Sequence, residues 1–213
     1  IIVTGNTVID ALLFAKEKVN SFSDCISDPL IRKVFAEHQR IILVTGHRRE
    51  NFGEGFINIC KALKQIALKH PHVEIVYPVH LNPNVQTPVN EVLNGINNIH
   101  LMQPLSYPDF VYAMKQSYLI VTDSGGVQEE APSLGKPVLV MRETTERPEA
   151  VEAGTVLMVG ANLEKITECI ENLLINNDVY FRMTRAHNPY GDGKAVSRIV
   201  DNLLTINNNK EAG

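Results

Sequence analysis

From residue 41 onward, short runs of β-branched and aliphatic residues alternate with stretches whose apolar positions recur every three or four residues. The run at 41–44 reads as a strand, and Thr45-Gly46-His47 as the turn that follows it. Phe56, Ile59, Cys60, Leu63, Ile66 and Ala67 then fall on one face at helical spacing, which predicts a helix over 54–69. The same alternation continues with strands at 73–77, 99–102, 118–122 and 138–141 and a short one at 156–159. Helices are predicted between them at 84–94, 108–116 and 126–134. Repeated strand–helix–strand order is the mark of a parallel α/β sheet. Residues 1–40 carry a strand-like 1–3, a helix over 7–19, and a loop and second helix; they read as an inter-domain connector ahead of a domain spanning 41–186. The last fifty residues are helical. Leu163, Ile166, Cys169, Ile170, Leu173 and Leu174 form one stripe, and Val196, Ile199, Val200, Leu203 and Leu204 a second, with HNPYGDG at 187–193 between them. The closing INNNKEAG has no stripe and is expected to fray.

In an open parallel sheet, ligands bind in the crevice beyond the carboxyl ends of the strands. The turns expected there are 45–51, 78–84, 103–110, 123–126 and 142–148, and they hold the least ordinary stretches of the chain: GHRREN, HLNPN, QPLSYPDF, DSGG and RETTERP. His47, Arg48, Arg49, His80, Arg142 and Arg147 supply cationic or hydrogen-donating groups, and DSGG supplies backbone N–H groups. Such a set suits a pyrophosphate better than a neutral molecule.

Composition narrows the class. A chain of 213 residues with 44% hydrophobic and 21% charged content can bury a sizeable core, with one domain favoured over two small ones. The formal net charge of -4, without a long Lys/Arg cluster, argues against a nucleic-acid surface. No apolar run approaches the length of a membrane span. Cys25, Cys60 and Cys169 are odd in number and lack CxxC or Cys/His spacing, so neither a disulfide framework nor a zinc site is expected; the reading is a soluble, cytoplasmic chain without a metal. The N-terminal IIVTGNTVIDALL has neither an initiator Met nor a basic leader, and the chain is expected to begin within a longer protein.

Each candidate has an ordinary reading beside the functional one. In TDSGGVQEEAPSLG, residues 122–135, Asp123 or Ser124 can simply cap a helix while Gly125 and Gly126 ease a turn. The alternative is an anion site at a helix start, where unpaired N–H groups and the dipole converge and glycines admit a phosphate. GHRREN can be a solvated charge cluster, His80 a structural histidine, and Asn82 and Asn84 turn residues. Tyr107 and Phe110 can be core aromatics, although Pro104 and Pro108 suggest an extended segment whose backbone can bond a flat ring. Glu129 and Glu130 point about 100° apart on a helix. Glu130, four residues beyond Gly126, lies on the side of the glycine turn and suits a ribose diol, leaving Glu129 to solvent or a pairing partner.

GHRREN, VHLNPNV, TDSGGVQEEAPSLGKPVLVMRETTERPEAVEAGT and HNPYGDG, in that order, closely resemble the non-hydrolysing UDP-N-acetylglucosamine 2-epimerases, from Val3 to Leu204. The resemblance implies a Rossmann-like parallel sheet with flanking helices, one half of a glycosyltransferase-B-like two-domain fold. This chain would be the C-terminal, UDP-holding half, with 187–213 returning to an N-terminal domain that carries the catalytic carboxylates. It further implies that Ser124, Gly125 and Gly126 hold the pyrophosphate, Glu130 the ribose, and Arg147 the phosphate or its loop. The backbone near Leu105 and Phe110 would read uracil, with Leu105 mattering for backbone shape more than side chain. His47 matches the active-site histidine, and Arg48 and His80 match positions associated in some members with a second, regulatory UDP-sugar. The implied reaction needs no cofactor: UDP leaves to give 2-acetamidoglucal and re-adds from the other face, interconverting UDP-N-acetylglucosamine and UDP-N-acetylmannosamine in polysaccharide biosynthesis, in an enzyme that is usually a homodimer. A nucleotide-sugar-dependent glycosyltransferase domain is the alternative, and RETTERPEAVEAGT and HNPYGDG fit the epimerase pattern more specifically. A stand-alone nucleotide-binding module is a third reading.

Overall fold

The computed structural model describes residues 1–21 and 26–211, with side chains for 1–19 and 26–205. Cys25 lies outside the described residues. Six strands, β1 (Ile41–Thr45), β2 (Glu74–Pro78), β3 (Ile99–Met102), β4 (Leu119–Thr122), β5 (Val138–Val140) and β6 (Val156–Met158), form one sheet in the order β3-β2-β1-β4-β5-β6. Every described pairing is parallel. From β1 the chain first adds strands on one side, then returns to add β4, β5 and β6 on the other. The switch in direction falls between β1 and β4, where Thr45 aligns with Thr122.

Successive side chains of a strand point to opposite faces, and both faces of this sheet are covered. Ile42 and Val44 join a core beneath α3 (Glu54–Lys69), α4 (Pro83–Leu93) and α8 (Leu163–Ile175), which buries Phe56, Leu63, Val89 and Ile170. Ile41 and Leu43 join the opposite core beneath α1 (Thr7–Ser21), α2 (Pro29–Glu37) and α5 (Tyr107–Gln116), which buries Leu12, Ile31 and Val111. Val127 and Ala131 of α6 (Gly125–Ser133) also lie in this second core. Helices α1 and α2, within the segment expected to act as a connector, therefore supply part of the core.

The run 1–3 forms no strand. Ile1, Ile2 and Val3 are exposed, and the nearby Asn6 N–H bonds to the Tyr190 carbonyl instead. The edges of the sheet are β3 and β6, and residues 1–3 pair with neither. Two short helices depart from the periodic pattern. Pro148 opens α7 (Pro148–Glu152), whose five residues are too few to show a stripe, and Asn176 caps α9 (Asn177–Arg185) through the N–H groups of Asp178 and Val179. The last helix, α10 (Ala195–Glu211), continues through most of INNNKEAG, with residues 212–213 outside the description. Its start is fastened to α1, where Asp10 accepts hydrogen bonds from the N–H groups of Ala195 and Val196. Val196, Val200, Leu203 and Leu204 remain exposed. Among the described residues no helix is long and apolar enough to cross a membrane, and no group of three or more His, Cys, Asp or Glu side chains is placed to hold a metal ion.

Candidate active site

The site grows from the β1/β4 switch. The hydroxyls of Thr45 and Thr122 bond across the two strand ends at 2.6 Å, and the Asp123 N–H donates to the Thr45 carbonyl. Asp123 is 0% exposed. Its Oδ2 accepts the backbone N–H groups of His47 and Arg48 at 2.9 and 2.8 Å, so the loop after β1 hangs from the loop after β4. The helix cap falls to Ser124, whose Oγ accepts from Val127 N–H and whose own N–H donates to Thr122 Oγ1. Gly125 and Gly126 then open α6, and the first N–H groups of a helix have no partner within it. Neither glycine has a positive φ. What the missing side chains provide is access: a Cβ on Gly125 would lie 4.0 Å from Nη2 of both Arg147 and Arg48, so two guanidinium groups flank an open helix start.

One turn further along α6, the adjacent glutamates take different partners. Both are 7% exposed. Glu129 pairs with Arg147 Nε and accepts from Asn6 Nδ2 at 2.5 Å, while Asn188 Nδ2 bonds its carbonyl at 2.9 Å. The pairing with Glu129 raises the Arg147 pKa further. Glu130 instead accepts from the Tyr107 hydroxyl at 2.9 Å. Burial pushes the Glu130 carboxyl above its ordinary value; the Tyr107 bond pulls it down, and Glu129 pushes it up again. Burial and the Glu130 carboxylate also raise the Tyr107 phenol. The loop before α7 is pinned to the same helix, since Thr145 Oγ1 donates to Gln128 Oε1 at 2.7 Å and accepts from Arg147 N–H at 3.0 Å.

The Tyr107–Glu130 bond draws the start of α5 toward α6, although β3, which precedes it, lies at the sheet edge. Leu105 and Phe110 flank that start, half-buried against the second core. On the other side, His47 and His80 stack with ring centroids 5.2 Å apart and an interplanar angle of 16°. With Arg48, Arg49, Glu50 and Asn82 they line a cleft of about 440 Å³. Arg142 differs from the open cation expected at the rim. It is buried, and its Nε bonds Glu50 at 2.7 Å.

The family model described as UDP-N-acetylglucosamine 2-epimerase matches residues 1–204. The chain belongs to this family. A UDP-N-acetylglucosamine 2-epimerase of Yersinia pestis is 59% identical over 204 residues, covering 95% of this chain and 54% of its own length. Among solved structures, the epimerase of Neisseria meningitidis bound to UDP-GlcNAc superposes with a TM-score of 0.89 at 47% identity, over 96% of this chain and 55% of that one. The Methanocaldococcus jannaschii epimerase in complex with UDP-GlcNAc and UDP gives a TM-score of 0.75 at 32% identity, over 96% and 54%. The chain thus spans about half the length of the relatives it matches.

The Rossmann-like sheet with flanking helices, expected as half of a glycosyltransferase-B-like fold, is the matched half of these epimerase structures. Within the epimerase family chain described here, Ser124, Gly125, Gly126, Glu130 and Arg147 gather on or beside α6, and His47, Arg48 and His80 gather on the loops after β1 and β2. Asp123 joins the two groups, although the sequence suggested only a cap for it. Tyr107, Asn6 and Asn188 were not distinguishable as neighbours of the two glutamates. Asn6 and Glu129 are 123 positions apart, and no periodicity links residues at that distance.

Proposed function

We propose that this chain is the UDP-holding half of an epimerase that interconverts UDP-N-acetylglucosamine and UDP-N-acetylmannosamine by elimination and re-addition of UDP. The observation that carries this reading is the open start of α6 between the Arg147 and Arg48 guanidinium groups. Backbone N–H groups there would take the pyrophosphate at Ser124, Gly125 and Gly126, with Arg147 stabilising the charge that develops as UDP departs. Glu130 would accept the ribose hydroxyls, and the backbone around Leu105 and Phe110 would read uracil. His47 would serve the reacting phosphate, and Arg48 and His80 would face a second UDP-sugar. Removal of the proton at sugar carbon 2 is a separate task for a base, assigned to an N-terminal domain of the same protein. Residues 1–40 would connect to that domain, 187–213 would return to it, and the assembled enzyme would be a cytoplasmic homodimer.

The test is calorimetry with UDP on the 213-residue chain, together with an assay of UDP-N-acetylglucosamine turnover. Weak UDP binding without turnover is expected, and turnover by this chain alone would refute the division of labour. Glu130→Ala should weaken UDP binding by about 1–3 kcal/mol through loss of a buried acceptor. Unchanged affinity would move the ribose role off Glu130.

A further inference from the structure

Asp123 has a second oxygen whose role the loop contacts leave unexplained. While Oδ2 takes the two backbone N–H groups, Oδ1 is buried without a hydrogen-bond partner among the described residues. It faces His47 Nδ1 at 3.6 Å, across a gap that a small rotation of the half-exposed imidazole closes. Hydrogen bonds of this kind are often long in a ligand-free site and tighten when the site is filled. The stacked partner ring is held differently: His80 Nδ1 accepts the Asn82 N–H at 3.1 Å. An imidazole nitrogen that accepts a hydrogen bond carries no proton, so neutral His80 has its proton on Nε2. A nitrogen aimed at a carboxylate is the one that carries the proton. Among the described residues Arg48 Nε, Arg142 Nη1 and the Tyr77 hydroxyl are further buried polar atoms of this region without partners, and Tyr77 OH lies 3.3 Å from where a Gly46 Cβ would be.

We infer that Asp123 is a positioning residue that holds His47 with its proton on Nδ1, so that the two stacked histidines are kept in opposite tautomers and His47 Nε2 is the atom that exchanges a proton with a ligand. The role in turnover rests on the reading of this crevice as the UDP site; the tautomers do not. With Nδ1–H directed at Asp123, a proton taken up at Nε2 gives an imidazolium opposed by the buried carboxylate. Passing that proton to an oxygen of departing UDP forms an O–H bond and breaks the Nε2–H bond. The electron pair stays on Nε2, and the ring returns to the neutral form with its Nδ1 proton in place. His80, with Nε2–H outward, presents a donor that needs no positive charge.

The substitution Asp123→Asn separates the two oxygens. The amide oxygen must stay under the His47 and Arg48 N–H groups, which places the amide NH₂ against His47 Nδ1 and forces that nitrogen to accept. Nitrogen-15 NMR of the imidazoles in the 213-residue chain at alkaline pH should show wild-type His47 protonated on Nδ1 and His80 on Nε2. Asp123→Asn should move His47 to the Nε2–H form and leave His80 unchanged. A wild-type His47 already protonated on Nε2, or a His47 indifferent to the substitution, overturns the inference. The wild-type spectrum alone decides the matter if the variant does not fold. In the longer enzyme, Asp123→Asn should lower kcat by roughly 10-fold or more with KM little changed, the lower bound being the cost of losing the orienting partner of a metal-bound histidine and the upper, about 10⁴-fold, that of losing the carboxylate beside a catalytic one. It should cost nothing further in a His47→Gln background. Full additivity of the two losses would reduce Asp123 to a loop anchor. Failure of UDP to bind would sink the site reading while leaving the tautomer result standing.

Discussion

The Tyr107 hydroxyl donates to Glu130 Oε1 at 2.9 Å, joining the first turn of α5 to the second turn of α6 across the crevice. Glu130 is a carboxylate kept out of water by its surroundings and compensated by a single phenol. Its raised pKa has a consequence for stability.

The folded-state pKa of Glu130 lies above its ordinary 4.5, chiefly through burial. The folded chain therefore holds this proton more tightly than the unfolded one. The resulting stabilisation is present below the ordinary value and is lost as pH rises through the folded one. Glu130→Gln keeps an acceptor for Tyr107 and has no charge to desolvate. Urea unfolding across the acid-to-neutral range should show the variant more stable than wild type at neutral pH, with the difference closing as pH falls. A constant difference would show that ionisation of Glu130 is not what costs stability.

Arg147→Met removes the only described cation paired with Glu129 and leaves Asn6 as its side-chain donor. Stability should fall by about 1–3 kcal/mol, less than for a fully buried pair because the Arg147 side chain is 32% exposed. The double variant Arg147→Met, Glu129→Gln should recover part of that loss in the same denaturant series, because no buried charge then stands alone.

Cys60 is fully buried in α3, and burial pushes its thiol up to about 12. Alkylation depends on the thiolate, so Cys60 should resist iodoacetamide at neutral pH in the folded chain and react after denaturation. Peptide mapping by mass spectrometry would read this directly; rapid labelling under native conditions would contradict the packing of α3 on the sheet.

Leu203 and Leu204 of α10 are more than half exposed, at 57% and 56%. Replacing both with Ser should change the unfolding free energy of this chain by less than about 0.5 kcal/mol per site. Under the proposed assignment of this helix, the same change in the longer enzyme should weaken its hold on the N-terminal domain, measurable as earlier proteolytic nicking between the two.

Much of the architecture was legible because parallel α/β folds write themselves in local patterns. The helix read over 54–69 coincides with α3, which buries a continuous face, and the strand at 99–102 with β3, an edge strand in which Ile99 alone is buried. The short α7 was invisible because one turn opened by Pro148 has no period to detect. Strand order was equally out of reach: nothing in the run at 118–122 says that it pairs with β1 and not β3. In the site, Ser124, Gly125 and Gly126 stood out because they are consecutive, and a helix start concentrates its chemistry in neighbouring residues. The contacts of Asp123 with the loop after β1 bridge 76 and 75 positions. A single buried acceptor of that kind leaves no compositional trace, so Asp123 read as an ordinary cap.

Glu129 is also where the segment before α1 and the segment between α9 and α10 are tied. Asn6 holds its carboxylate, Asn188 holds its carbonyl, and the Asn6 N–H bonds the Tyr190 carbonyl, so two segments far apart in sequence meet on the back of α6. Segments fastened in this way open and close together, as one cooperative unit in hydrogen exchange. Releasing either strap would therefore loosen the helix whose first turn faces the crevice. The firmness of the glycine turn that opens α6 is thereby set from behind, by two asparagines that both bond Glu129 one turn further along the helix.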